Sequence, residues 1–363
     1  MTTFSCKERR PAKSIDIEIN SNIELLGLAY FISFESDGIE TDTIKFHDKN
    51  ILKKDWHNYG YSQFKKFGSF ASSSNLTKSF EVADHLWLDY LYNLLLQVEL
   101  FPNARITDDI ELSYYKDFSE SGNKVEAREK AQIFLDGLNE FYKEIDFKKY
   151  IKDNSVFYEK AIKEVKMGTP DHSFIELNEI FYKTEFNRYV LIPSLTTPKG
   201  MGFGLRYTRQ GKVNVFNVFG ALDYQSIDDS SNIEMGFDNK ERLNELSAHE
   251  FGHSFVNPVI DKVPIDLINR TEHLFESIKL SMSDQGYNTW KVCINEHFVR
   301  AGEIFLWNKL GDFETSNRLK QEYINNRNFI FIPNILVELE NYDKGEHSSY
   351  LETVKVSLEK LID

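Results

Sequence analysis

Cysteine is almost missing from this chain: 363 residues carry two, Cys6 and Cys293. A disulfide framework beyond one possible bridge is therefore excluded, and so is a zinc ribbon built on thiolates. Cys293 falls within an apolar helical pattern and reads as a small buried hydrophobe. Long apolar runs are missing too. No segment approaches the roughly 18 uninterrupted apolar residues of a membrane-spanning helix, and "MTTFSCKERR" has no apolar stretch of the kind a secretion signal needs. Positive charge is scarce: 43 Lys and Arg face 57 Asp and Glu, a net charge of -14. Nucleic acid calls for a concentrated positive surface, which the short terminal run "KERRPAK" (7–13) does not supply, so no nucleic-acid partner is expected.

The start of the chain supports two readings. "TFSC" followed by a polar, basic stretch has the form of a lipoprotein leader whose front has been removed. Cys6 would then be the lipid-anchored residue of an exported protein, in the periplasm or at the cell surface. In the other reading Cys6 is an ordinary cysteine in a flexible terminus (1–13) of a cytoplasmic protein.

What the chain does have is the composition of a folded globular protein, with 41% hydrophobic and 28% charged residues. Its 29 Phe and 18 Tyr predict an aromatic-rich core. "SIDIEIN" (14–20) alternates isoleucines and reads as a short strand. Helical spacing follows over 22–34, 51–67, 79–100 and 126–145, with loop-like breaks at 70–75 and 101–109. Near 185 the character changes. "RYVLIPSLT" and "KVNVFNVFGAL" are rich in β-branched and aromatic residues and read as strands flanking a glycine-rich turn, "KGMGFGLRYTRQGK". Helical patterns resume from 238, through 262–283, 289–309, 313–326 and 347–361. The expected fold is α+β and mostly helical, with a mainly helical region at 14–170 and a small mixed sheet plus helices at 171–363.

The chemistry concentrates in "NELSAHEFGHSFVNP" (244–258). Asp238, Asn239, Lys240 and Glu241 resemble a capping box, and Asn257–Pro258 marks the expected end of the helix. His249 and His253, four apart, share one helix face and can reach one metal ion. Glu250 is rotated about 100° further round, so its carboxylate can act on a water at that ion. A catalytic zinc takes three protein ligands and keeps one position open. Glu296, in the helical "TWKVCINEHFVRAGEIFLW" (289–307), is the leading third ligand; Glu303 is its main rival. Glu272, His273 and Glu276 lie in a charged segment that reads as a solvated face.

"HEFGH" with a downstream helix carrying "NEHFVR" resembles the zincins whose third ligand is a glutamate, the thermolysin-like gluzincins. "HEFGHSFVNP" with "NEHFVRA", behind "NIELLGLAYFISF", more closely resembles an uncharacterised bacterial family, domain of unknown function 4932. The resemblance covers most of the chain. It implies a zincin-like catalytic region, one Zn2+ held by His249, His253 and Glu296, Glu250 as general base, and a peptide or protein substrate. The metzincin extension is absent, Val256 and Val259 occupying its glycine and histidine positions. In zincins the strand before the motif helix is a sheet edge that pairs with extended substrate; the resemblance gives that role to Asn214, Phe216, Val218 and Gly220. A zincin fold kept as a binding or structural protein is the alternative, against which the intact histidines and glutamate speak.

Arg300, one helical turn after Glu296, can orient that carboxylate or bind substrate, as can its neighbours Asn295 and His297. A peptidase also needs a donor for the developing oxyanion. His297, Tyr342, His347 and Tyr350 are candidates, with Tyr342 preferred.

Overall fold

Gln210 and Gly211 both take positive φ, 52° and 75°, the conformation of a two-residue turn whose twist matches its flanking strands. They join β5 (Gly202–Arg209) to β6 (Lys212–Phe219). The register runs from Arg209 opposite Lys212 to Gly202 opposite Phe219. Much of the stretch expected as a glycine-rich turn is therefore a strand. With β1 (Ile15–Ile17) and β4 (Arg188–Pro193) it forms a four-stranded sheet in the order β1-β4-β6-β5. Val190, Leu191 and Ile192 of β4 are buried, the continuous apolar run of a strand covered on both faces. β2 (Thr43–Phe46) and β3 (Lys49–Leu52) make a separate antiparallel pair, where the sequence pattern pointed in part to a helix.

This computed structural model describes residues 13–46, 49–170, 172–227 and 232–362. Cys6 and most of the basic run at 7–13 lie outside the described residues. The architecture is α+β, about 60% helical, with a small mixed sheet. No helix of the described residues is long and apolar enough to cross a membrane.

Two compact units are present, each drawing on separate stretches of chain. One comprises 17–169 and 190–251 and contains most of the sheet. Its helix Ser21–Tyr30 starts where the Asn20 side chain accepts hydrogen bonds from the backbone N–H groups of Asn22 and Ile23. Ile23, Leu25, Leu26 and Leu28 are fully buried. So is Glu24, whose carboxylate accepts from Tyr158 Oη at 2.9 Å and the Leu195 N–H at 3.2 Å. The pattern at 79–100 divides into helices Ser74–Glu81 and Leu88–Leu95.

The other unit comprises the described parts of 1–16, 170–189 and 252–363. Its aromatic core includes Tyr182 stacked on Phe255 at 4.8 Å and Phe181 against Phe305 at 4.7 Å. The pattern at 262–283 resolves into three short pieces, Ile265–Thr271, Glu272–Ser277 and Lys279–Ser283. A helix at Ile332–Asp343, with a proline in its first turn, adds to those expected.

Candidate metal centre

The motif helix spans Lys240–Ile260. Asn239 caps it, the side chain accepting from the Arg242 N–H at 3.1 Å. It does not stop at Asn257: Pro258 lies inside, and the Asp261 N–H still reaches the Asn257 carbonyl at 3.0 Å. Proline removes one donor, yet the packed face on either side keeps the helix going. Leu243, Ser247, Phe251 and Val256 are fully buried along it.

His253 is held from behind. Its Nδ1 lies 3.2 Å from Asn257 Oδ1, one turn further along. An amide oxygen there can accept the proton of Nδ1, the arrangement in which Nε2 serves as the ligand atom. That Nε2 stands 3.3 Å from Glu296 Oε1. Glu296 comes from the helix Trp290–Lys309, whose N-cap Thr289 accepts from the Val292 N–H. Its other oxygen, Oε2, accepts from Arg300 Nη2 at 3.1 Å. His249, His253 and Glu296 each place a ligand atom within 4.8 Å of the others. Glu303, the rival ligand, points elsewhere: it is buried, its Oε2 accepts from Tyr323 Oη at 2.8 Å, and burial pushes its pKa up to about 7.

Glu250 is 6% exposed. Beside it runs β5, and here two glycines have a purpose the sequence did not disclose. A Cβ on Gly204 would lie 2.1 Å from the Glu250 carbonyl oxygen, and one on Gly202 would lie 3.1 Å from Glu250 Oε1. Only glycine lets the strand approach the motif helix so closely.

The structure also changes the assignment of the sheet edge. Asn214, Phe216 and Val218 belong to β6, and Gly220 directly follows it; β6 lies between β4 and β5, so its backbone pairs on both sides. Phe216 and Val218 are buried, and Gly220 sits against the Thr197 and Pro198 carbonyls. The edge strand next to Glu250 is β5. The Met201 carbonyl accepts from the Gly220 N–H, whereas the Thr208 N–H turns outward to Tyr114 Oη. By alternation, the backbone groups of Gly202, Gly204 and Arg206 also turn outward.

Arg300 is buried, and its Nη2 serves Tyr287 Oη as well as Glu296, both at 3.1 Å. Burial works against its charge, but Glu296 and the phenols of Tyr323 and Tyr287 outweigh it and raise its pKa. Tyr287 was not singled out in the sequence. Its oxygen accepts from Arg300 and, at 3.4 Å, from Arg327, which leaves the phenolic proton to donate elsewhere.

The remaining candidates have other surroundings. His297 Nδ1 bonds the Cys293 carbonyl at 2.7 Å, its ring lies against Phe329 and Phe331, and burial lowers its pKa to about 4. Cys293 is fully buried. Asn295 has its Oδ1 buried without a hydrogen-bond partner among the described residues. Tyr342 packs on Phe181 and Tyr350, with Lys183 Nζ 4.6 Å above its ring. His347 Nε2 pairs with Glu338 at 2.8 Å.

The family model described as "Domain of unknown function (DUF4932)" matches residues 15–352. The chain belongs to the DUF4932 family. No curated protein and no solved structure matches it. The DUF4932 match takes in the motif helix, Glu296, Tyr287 and the whole sheet.

Proposed function

We propose that this DUF4932 protein is a zinc-dependent hydrolase of zincin-like, gluzincin type that cleaves peptide bonds. The observation that carries the reading is the convergence of His249, His253 and Glu296 on one point. Two imidazole nitrogens and one carboxylate oxygen are the donor set of a catalytic zinc site. The spacing of one ligand pair fits as well: donors about 2.0–2.1 Å from a tetrahedral ion stand roughly 3.3–3.4 Å apart, as His253 Nε2 and Glu296 Oε1 do at 3.3 Å, and the His249 nitrogen lies within 4.8 Å of both. Asn257 and Arg300 hold those two ligands from behind, and groups bonded to metal ligands in this way orient them.

When bound, zinc supplies Lewis acidity, polarising a carbonyl and bringing the pKa of water toward about 7. This chain's own groups do the rest. The Glu250 carboxylate takes the proton of the attacking water and passes it to the leaving amine. Tyr287 Oη, kept as a donor by the two guanidiniums behind it, serves the developing oxyanion in place of Tyr342. The outward backbone of β5 pairs with an extended peptide beside Glu250.

A pool of peptides incubated with purified protein, with products read by mass spectrometry, tests the reading. Wild type should cut, and Glu250→Gln should lose about 10²–10⁴-fold in rate while binding zinc as before. Equal cutting by both proteins would remove Glu250 from the mechanism.

A further inference from the structure

The third ligand is held by Arg300, and what holds Arg300 comes from a different part of the chain. Its guanidinium lies 4.6 Å from the centre of the Tyr323 ring and 4.8 Å from that of Phe329. Such faces attract a guanidinium, and more strongly where water is excluded. Neither ring is loose. Tyr323 Oη donates to Glu303 Oε2 at 2.8 Å, one turn beyond Arg300 on the same helix. Phe329 also meets the His297 ring edge-on at 4.9 Å, and Phe331 meets it at 5.3 Å. His297 follows Glu296 directly. The stretch 323–331 thus grips the Glu296 helix at three places, His297, Arg300 and Glu303. It begins in a π-helical turn, Glu322–Asn326, a departure from regular helix that often accompanies function.

A solvated arginine would have many rotamers, and a carboxylate bonded to it would share that freedom. Here the guanidinium is buried against two neighbouring rings, whose centres lie 6.2 Å apart at 70° to each other, and it presents Nη2 to Glu296 and Tyr287. We propose that Tyr323 and Phe329 are positioning residues for the metal centre, acting through Arg300 to fix the Glu296 carboxylate. The inference rests on the metal-site reading given above, but it concerns affinity for the ion, not turnover.

The test is the zinc dissociation constant, measured by competition with a chromophoric chelator, with unfolding followed in parallel. Phe329→Leu keeps an apolar side chain and removes the ring. It should weaken zinc by about 10–100-fold, the usual effect of disturbing a ligand's support. Tyr323→Phe keeps the ring but removes its bond to Glu303, and should weaken zinc less than Tyr323→Leu; Tyr323→Leu should weaken binding as Phe329→Leu does, and serves if that variant fails to fold. The decisive comparison is a double-mutant cycle: with Arg300→Gln already present, Phe329→Leu or Tyr323→Leu should cost little more. Unchanged affinity in both leucine variants, or the same loss with and without Arg300, overturns the proposal. Protein that binds zinc, shows the coupling and cleaves no peptide leaves the proposal standing and removes the peptidase reading. A wild type that takes up no zinc overturns both.

Discussion

The imidazole of His253 is fixed by Asn257, four residues further along the same helix, through a 3.2 Å contact between Nδ1 and the amide oxygen. The consequence is directional. With Nδ1 turned to Asn257, Nε2 is the nitrogen that faces Glu296. Replacing Asn257 with Ala should free the ring to rotate and exchange tautomers, weakening zinc binding about 10–100-fold. Isothermal titration of the apoprotein with zinc measures this. Wild-type affinity in Asn257→Ala would mean that the ring is oriented by packing alone.

Tyr287 and Tyr342 make a matched pair. Tyr287→Phe removes a donor next to the Arg300–Glu296 pair, so kcat should fall about 10²–10³-fold with KM little changed. Tyr342→Phe removes a hydroxyl buried in an aromatic cluster and should leave kcat within a few-fold of wild type. Steady-state kinetics on one cleaved peptide separates them, and the reverse ranking would restore Tyr342 as the oxyanion donor.

Glu24 gives stability a pH dependence away from the metal centre. Burial pushes its pKa from 4.5 up to about 7 in the folded chain. The fold therefore binds this proton more tightly than the unfolded chain does. The contribution is fully present below about pH 4.5 and is lost as pH rises through about 7. Its size is about 3 kcal/mol, from 1.36 kcal/mol per pKa unit. Urea midpoints for wild type and Glu24→Gln across this range should converge at acid pH and diverge toward neutral, with the variant the less sensitive. Parallel curves would show that Glu24 does not titrate as its burial implies.

Much of the centre was legible because helical periodicity is a local rule. His249 and His253 are four apart and Arg300 is four after Glu296, so their neighbourhoods follow from 3.6 residues per turn. Tertiary contact hid the rest. Glycines at 202 and 204 read as a turn, whereas Gly204 lies against the Glu250 backbone and Gly202 against the Leu246 and Glu250 side chains. The apolar alternation of β6 marks a strand but does not say which strand lies at the edge, and the edge is β5. Tyr287 carries no local signal, since its environment is made by guanidiniums 13 and 40 residues further on. Proline at 258 read as a helix end because the preference against helix before proline is real, yet here the helix continues to Ile260.

The central claim is that His249, His253 and Glu296 together hold zinc, and the most direct measurement is elemental analysis of purified wild type beside Glu296→Ala. Wild type should carry about one zinc per chain, as expected for a single three-ligand site, and the variant little or none after the same dialysis. Wild-type protein that retains no zinc after zinc is supplied and the excess removed, or a variant that retains as much as wild type, would contradict it.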